Sequence, residues 1–158
     1  MPVSVRILLQ LGAVNPGYQL QMTDDSTKVL PARCRNLRIL VVEDHADTLR
    51  VVARLLDHFG HEISLADGAQ IALQIIESKE FDVILSDIGL PDGNGYEVIA
   101  QAKLKGPVKG VALTGLDKDE DAKRSKEAGF DFHLTKPVDF HELRTVLAQV
   151  SLENVNSL

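Results

Sequence analysis

The sequence predicts an α/β fold in which a doubly wound, five-stranded parallel sheet carries helices on both faces. Five short apolar runs alternate with five segments of helical periodicity, which requires parallel strands joined by right-handed crossovers. The third run is continuously apolar, as expected of a strand buried on both faces. The chain has 158 residues and a hydrophobic content of 44%, enough for one domain with a substantial core.

The first half of this pattern begins with an apolar, β-branched run over 37–42 that predicts the first strand. A helix follows over 46–59, where apolar residues recur at steps of three and four, and Gly60 ends it. Asp44 or Asp47 is expected to cap this helix. An alternating strand over 62–66 and a helix over 69–78 come next.

The second half repeats the alternation. The third strand is predicted over 81–87, a helix over 97–105 and the fourth strand over 109–114. The fourth helix, 119–128, is almost entirely charged, so we expect it to bury little and to be a candidate for movement. A fifth strand over 130–135 and a last helix over 140–150 complete the domain, which we place at 37–151.

The two ends of the chain read differently from this domain. Residues 1–36 hold turn-forming residues and only brief apolar pieces, so we expect an extension that is partly disordered. Residues 152–158 are expected to form a frayed tail. The apolar patch over 3–14 is interrupted by Arg6 and Gln10, and it lacks the basic start of a signal peptide. A cytoplasmic protein without a membrane span is the resulting expectation.

Composition excludes several classes of function. The net charge of −6 and the pI of about 5.3 argue against direct binding to DNA or to an anionic membrane. A single cysteine, Cys34, rules out an internal disulfide and a multi-cysteine zinc site. His45, His58, His61 and His141 show no zinc-ligand spacing, and surface or core-edge roles are expected for them.

Polar side chains capable of chemistry follow four of the predicted strands. They are Glu43 and Asp44 after the first strand, Asp87 after the third, Thr114 after the fourth and Lys136 after the fifth. The carboxyl ends of parallel strands meet at one edge of a sheet, where such folds bind ligands. Three carboxylates there would repel one another unless a cation joined them, and oxygen ligands of this kind suit Mg²⁺.

This arrangement predicts a site that accepts a phosphoryl group. Asp87 is a competent covalent nucleophile because a carboxylate can form an aspartyl phosphate. Lys136 supplies a second cation and Thr114 a hydroxyl donor for the phosphoryl oxygens, since phosphoryl transfer depends on positioning and charge neutralisation.

Taken together, these residues resemble a response-regulator receiver domain over about residues 36–151. The resemblance rests on the acid pair, on Asp87, Thr114 and Lys136, and on the segments that surround them. Those segments are Leu90-Pro91-Asp92, Gly95, Ala112-Leu113-Thr114-Gly115, Ala128-Gly129-Phe130-Asp131 and Lys136-Pro137.

The resemblance implies a flavodoxin-like (βα)5 sheet with strand order 2-1-3-4-5. It implies that Asp87 receives a phosphoryl group from a histidine kinase or a histidine phosphotransfer protein, in a signalling phosphoacceptor rather than a turnover enzyme. It also implies Mg²⁺ held by Glu43, Asp44, Asp87 and the backbone carbonyl of Gly89, and a cis peptide bond between Lys136 and Pro137.

One position departs from the common family pattern. His133 stands where many receivers carry an aromatic switch residue, which resembles receivers attached to hybrid sensor kinases. We expect Thr114 to move toward the phosphoryl group and His133 or a neighbour to fill the space. The face formed by the fourth helix, fifth strand and fifth helix would then change for an unidentified output protein or for a homodimer partner. Both a stand-alone receiver and a hybrid-kinase receiver remain open.

Two other classes of protein share parts of this pattern. A phosphatase of the haloacid-dehalogenase type would use an aspartyl phosphate and Mg²⁺, but it carries a second Asp two residues after the nucleophile, where this chain has Gly89. A flavodoxin-like cofactor binder needs a glycine- and hydroxyl-rich phosphate loop after the first strand. Glu43 and Asp44 would repel a phosphate at that position.

Overall fold

The structure is a computed structural model that describes residues 35–115 and 119–156, with the backbone alone for 119–122, 155 and 156. Nearly all of the extension expected over 1–36 therefore lies outside the described residues. Within the described ranges, no helix is both long enough and apolar enough to cross a bilayer.

Strands and helices alternate along the whole domain. The strands are β1 (Arg38–Val42), β2 (Glu62–Ala66), β3 (Val83–Asp87), β4 (Lys109–Thr114) and β5 (Phe132–Thr135). The helices are α1 (Ala46–His58), α2 (Ala69–Ser78), α3 (Gly95–Lys105), α4 (Asp119–Ala128) and α5 (Phe140–Asn156). Between β3 and α3 lies a short antiparallel ladder, Gly89–Leu90 with Gly93–Asn94, which we call the hairpin.

The five strands form one parallel sheet in the order β2-β1-β3-β4-β5, which confirms the predicted fold class and strand order. The register aligns the carboxyl ends of the central strands. Val42 pairs with Ser86, Asp87 pairs with Leu113, and Thr114 pairs with Thr135. The residues that follow these pairs therefore meet at one edge of the sheet.

Two apolar layers hold helices against the sheet. On β1, Ile39 and Val41 face the layer shared with α1 and α5, whereas Leu40 and Val42 face the layer shared with α2 and α3. The run 83–85 is fully buried, which confirms that β3 is covered on both faces. Each such aliphatic side chain contributes roughly 1.5–3 kcal/mol through burial, so the central strands fix the position of the sheet edge.

The start of one helix and the cap of another differ from the prediction. α3 begins at Gly95 and not at residue 97, because the Asn94 side chain accepts a hydrogen bond from the Glu97 backbone N–H at 2.9 Å and caps the helix. The prediction that Asp44 or Asp47 caps α1 was wrong. The N-cap residue is His45, and it makes no capping hydrogen bond through its side chain.

The last helix extends further than the sequence predicts. α5 continues to Asn156, so the expected end at residue 150 was wrong, and most of the tail expected over 152–158 is helical. Residues 157 and 158 lie outside the described residues. Ser151 is 1% exposed, and the Glu153 carboxylate lies 2.9 Å from Lys109 Nζ at the start of β4. These contacts with the sheet, which local sequence does not reveal, stabilise the additional turns.

The charged helix α4 leads into a tight turn. Lys123 and Arg124 are exposed, as expected, whereas Ser125 is fully buried. After the helix, Gly129 adopts a φ of +109°, a conformation that side chains disfavour. The ring of Phe130 then packs edge-on against Tyr96 of α3, with centroids 6.4 Å apart, and this contact joins the segment after α4 to α3.

Candidate functional site

The predicted site residues meet at the carboxyl edge of the sheet. Glu43 follows β1, Asp87 ends β3, Thr114 ends β4 and Lys136 follows β5. Because the strand pairs are in register, the side chains of Glu43, Asp87 and Lys136 converge on one point, where they form direct ionic contacts.

Lys136 bridges two of the carboxylates. Its Nζ lies 2.5 Å from Asp87 Oδ2 and 2.6 Å from Glu43 Oε2. Burial opposes the charge on this ammonium most strongly, but the hydrogen bonds to Asp87 and Glu43 outweigh that effect and raise the pKa of Lys136 above its usual value. Lys136 therefore remains a cation across the physiological range.

The surroundings of Asp87 fix its carboxylate and its backbone. Oδ1 accepts a hydrogen bond from the Gly89 N–H at 3.1 Å, and Oδ2 faces Lys136. The Asp87 carbonyl accepts a hydrogen bond from the Ser86 hydroxyl at 2.8 Å. A Cβ on Gly95 would collide with this carbonyl, so glycine is required where α3 starts beside the site.

The acid pair has a neighbour, His45, for which the sequence predicted only a surface or core-edge role. His45 Nδ1 lies 3.1 Å from Glu43 Oε1 and 3.2 Å from Asp44 Oδ1, and the His45 backbone N–H also donates to Glu43. The hydrogen bond to Glu43 and the negative charges of both acids raise the pKa of His45. Its position directly after the acid pair was the one signal that could have revealed this contact.

Thr114 and His133 occupy neighbouring strands of the same region. Thr114 is 8% exposed, and its carbonyl accepts the Lys136 N–H at 2.7 Å. His133 pairs with Ala112 in the ladder between β4 and β5 and is partly buried. The roles of Thr114 as a hydroxyl donor and of His133 in switching remain predictions. The peptide bond between Lys136 and Pro137 is cis, as the resemblance implied.

Two glycines follow the strands β3 and β4 that end at the site. Among the described residues, no heavy atom lies within 4 Å of the place that a Cβ would occupy on Gly89 or on Gly115. Both residues are exposed to solvent. Leu116, the residue after Gly115, lies outside the described residues.

The donor atoms of this edge fit Mg²⁺. Glu43, Asp44 and His45 each offer a ligand atom, and these atoms lie within 4.8 Å of one another. The Glu43 carboxylate is completely buried, and Asp87 lies across the shared ammonium of Lys136. Hard carboxylate oxygens that are crowded in this way are suited to a small divalent cation.

A comparison with known protein families agrees with this geometry. The model of the family described as the response regulator receiver domain matches residues 39–148, which include every predicted site residue. The chain belongs to the response regulator receiver domain family. Such receivers are the signalling phosphoacceptors of two-component systems, and they differ from enzymes that turn over a separate substrate.

Similar curated proteins include sensor kinases. The sensor histidine kinase RcsC of Escherichia coli K12 is 31% identical over 140 residues, covering 82% of this chain and 14% of the kinase. The chain therefore spans about one-seventh of that relative. An uncharacterised 14.6 kDa protein of Leptolyngbya boryana is 33% identical over 117 residues, which cover 72% of this chain and 89% of that protein.

Solved structures of receivers share the fold. A CheY-like receiver domain protein from Methanospirillum hungatei is 31% identical with a TM-score of 0.73, covering 78% of this chain and all of that one. The receiver of the Pseudomonas aeruginosa sensor kinase PA1611 was solved with magnesium in its active-site cleft. It is 27% identical with a TM-score of 0.67, and the match covers 74% of this chain and 98% of that one. A third match is a Saccharomyces cerevisiae co-crystal of the phosphotransfer protein Ypd1 with the Ssk1 receiver. The sequence identity is 26% and the TM-score 0.71, and the match covers 80% of this chain and 94% of that one.

Proposed function

We propose that this chain is the phospho-accepting receiver of a two-component phosphorelay and that Asp87 is its acceptor. The observation that carries this proposal is the single ammonium of Lys136 in contact with both Glu43 and Asp87 at the carboxyl edge of the sheet. The donor is a phosphohistidine on a histidine kinase or a histidine phosphotransfer protein. The magnesium-bearing PA1611 receiver and the Ypd1–Ssk1 complex support the same chemistry and the same class of partner.

In the proposed reaction, a carboxylate oxygen of Asp87 attacks the phosphorus of the donor. An O–P bond forms, the P–N bond breaks, and the imidazole leaves with the electron pair and takes up a proton. Lys136 stays charged and neutralises the transferred oxygens, while the Thr114 hydroxyl donates a hydrogen bond to one of them. Glu43, Asp44, Asp87 and the Gly89 carbonyl would hold Mg²⁺, which offsets negative charge on the phosphoryl group when it is bound.

Output is proposed to follow from the added charge. An aspartyl phosphate brings roughly two negative charges to the edge of the sheet. Movement of Thr114 toward those charges, with His133 or a neighbour filling the space, would shift the population of the face formed by α4, β5 and α5. This face would bind the output protein or a second copy of the chain, with an affinity that differs between the two forms.

The test is phosphorylation by a small-molecule phosphodonor with Mg²⁺, followed by intact mass. The wild type should gain one phosphoryl group, and the gain should disappear when Mg²⁺ is chelated. Asp87→Asn should remain unmodified while its circular dichroism and urea midpoint show a folded domain. Incorporation of phosphate by the folded Asn variant would reject Asp87 as the acceptor.

A further inference from the structure

Helix α2 has no residue of its own at either end whose charge is favourable to the helix dipole, since the charged residue of its last turn is the acid Glu77. Its first turn contains no acidic residue, its last turn contains no basic residue, and its N-cap, Gly68, has no side chain to offer. The charges come from elsewhere in the chain. Asp92 of the hairpin lies at its amino end, and Lys105 of α3 donates to the carbonyls of Ile76 and Glu77 at its carboxyl end. Both placements match the helix dipole.

The contact made by Asp92 is the more specific of the two. Its Oδ1 accepts the Ala69 N–H at 2.8 Å, and its Oδ2 accepts the Gln70 N–H at 2.9 Å. These two hydrogen bonds lower the pKa of Asp92, so the carboxylate remains ionised near neutral pH. One side chain thus satisfies two backbone donors that the helix itself leaves unpaired.

The packing around this contact leaves no room for larger residues. A Cβ on Gly68 would lie 2.7 Å from the Asp92 carboxylate oxygens, and a Cβ on Gly93 would lie 2.8 Å from the Ala69 Cβ. The hairpin is therefore pressed directly against the first turn of α2. The two glycines provide evidence of this close approach that is independent of the hydrogen bonds.

The same hairpin begins at Gly89, beside the acceptor. Its own ladder pairs only Gly89 with Asn94 and Leu90 with Gly93, and so short a ladder is marginal on its own. The Gly89 N–H reaches Asp87 Oδ1, and the Gly95 N–H donates to the Ile88 carbonyl at 2.9 Å. The hairpin is thus fixed near Asp87 at its base and by Asp92 at its tip.

We propose that Asp92 is a positioning residue of the metal site. By anchoring the hairpin to α2, it holds the segment that carries the Gly89 carbonyl in the conformation required to bind Mg²⁺. This inference rests on the proposed function, in which Gly89 contributes a ligand. Contacts behind metal ligands commonly change affinity by about tenfold to a hundredfold, so an effect at this distance is measurable.

A reciprocal effect follows from linkage. If the anchor promotes Mg²⁺ binding, then bound Mg²⁺ must strengthen the anchor by the same factor. Mg²⁺ should therefore slow amide hydrogen exchange at Ala69 and Gln70, the two donors to Asp92. A side chain that only caps a helix would not transmit the presence of Mg²⁺ to these two amides.

The experiment compares two variants that each remove a charge from one end of α2. Asp92→Ala removes the anchor, and Lys105→Gln removes the cation at the opposite end of the same helix. Both variants should lower the urea midpoint.

Calorimetric titration with Mg²⁺ should show affinity weakened by about tenfold in Asp92→Ala and unchanged in Lys105→Gln. Mg²⁺ should slow exchange at Ala69 and Gln70 in the wild type and in Lys105→Gln. In Asp92→Ala it should leave exchange at these amides unchanged.

Equal Mg²⁺ affinity in the two variants would overturn the inference and reduce Asp92 to a helix cap. If Asp92→Ala does not fold, Asp92→Asn decides the question, since it keeps an acceptor oxygen but loses the charge. It should bind Mg²⁺ more weakly than the wild type, and wild-type affinity would reject the proposal. Failure of the wild type itself to bind Mg²⁺ would instead contradict the proposed function.

Discussion

Carboxylates contact cationic side chains at both edges of the sheet, but the ratio of carboxylates to cations differs between the two edges. At the amino edge, Asp82 and Asp131 each contact a cationic side chain. Asp82 accepts hydrogen bonds from Arg38 Nε and Nη2, and Asp131 lies 3.1 Å from Lys103 Nζ. At the carboxyl edge, Lys136 contacts Glu43 and Asp87, and the exposed imidazole of His45 contacts Glu43 and Asp44.

This difference separates structural ion pairs from a site that is prepared for a ligand. The amino-edge pairs need nothing further, because donors and acceptors are matched. The carboxyl edge has more negative charge than its own cations offset, so it gains from a divalent ion. The excess is held in place by the buried central strands, which cannot move apart to relieve the repulsion.

The largest effect should come from removing the bridging cation. Lys136→Met removes the ammonium that joins the buried Glu43 carboxylate to Asp87, and we expect the free energy of unfolding to fall by about 3 kcal/mol. Phosphorylation by a small-molecule donor should also be lost. Urea unfolding and intact mass measure the two effects.

The matched control for this variant is Arg38→Met at the amino edge. Asp82 keeps the Arg38 backbone N–H at 2.8 Å, so the loss of stability should be only about 1 kcal/mol. Phosphorylation should be unchanged. Equal losses of stability in the two variants would contradict the distinction between the edges.

A smaller effect is expected from Asp44→Asn, which relieves part of the excess charge. Without Mg²⁺, its free energy of unfolding should stay within about 0.5 kcal/mol of the wild type, since the side chain is partly exposed. Mg²⁺ at a hundred times its dissociation constant should stabilise the wild type by about 2.7 kcal/mol. Most of this increment should disappear in the variant. An unchanged increment in thermal unfolding would remove Asp44 from the proposed ligand set.

The smallest effect concerns pH and the amino edge. His61 Nδ1 accepts the Leu37 N–H at 3.2 Å, and burial lowers the pKa of His61 below its usual 6.5. The unfolded chain therefore binds a proton before the folded one does, so stability should fall as pH drops below about 6.5 and level off below the folded pKa. Solvent screening of the partly buried ring keeps the loss below about 1 kcal/mol.

The comparison that isolates this effect is His61→Asn, because the Asn amide oxygen can still accept the Leu37 N–H. The urea midpoint is measured at about pH 7.5 and at about pH 5.5, on either side of an ordinary histidine pKa. Between these two pH values, the midpoint should fall more for the wild type than for the variant. Identical pH dependence in the two proteins would show that His61 does not contribute.

Most of the fold could be predicted because it depends on local patterns. The apolar runs located every strand of the parallel sheet, and the order of the strands agrees with the family resemblance. The spacing of strand ends also brought Glu43, Asp87 and Lys136 to one point. This convergence follows from the register of the strands, because residues that follow paired strand ends must lie side by side.

The features that were missed depend on contacts across space. The end of α5 depends on Glu153 reaching Lys109, and the anchor of α2 joins residues 23 positions apart, Asp92 and Ala69. His45 was missed because its contact with the acid pair depends on the conformation of the turn after β1. Periodicity contains no information about such pairs.

The edge-on contact between Tyr96 and Phe130 has a spectroscopic consequence. The chain contains no tryptophan and two tyrosines, Tyr18 and Tyr96. Replacing Tyr18 by Phe would leave Tyr96 as the one tyrosine emitter, located where α3 meets the segment that follows α4. Its ultraviolet emission would then report on that joint directly, without an added label, during any reaction at the neighbouring edge.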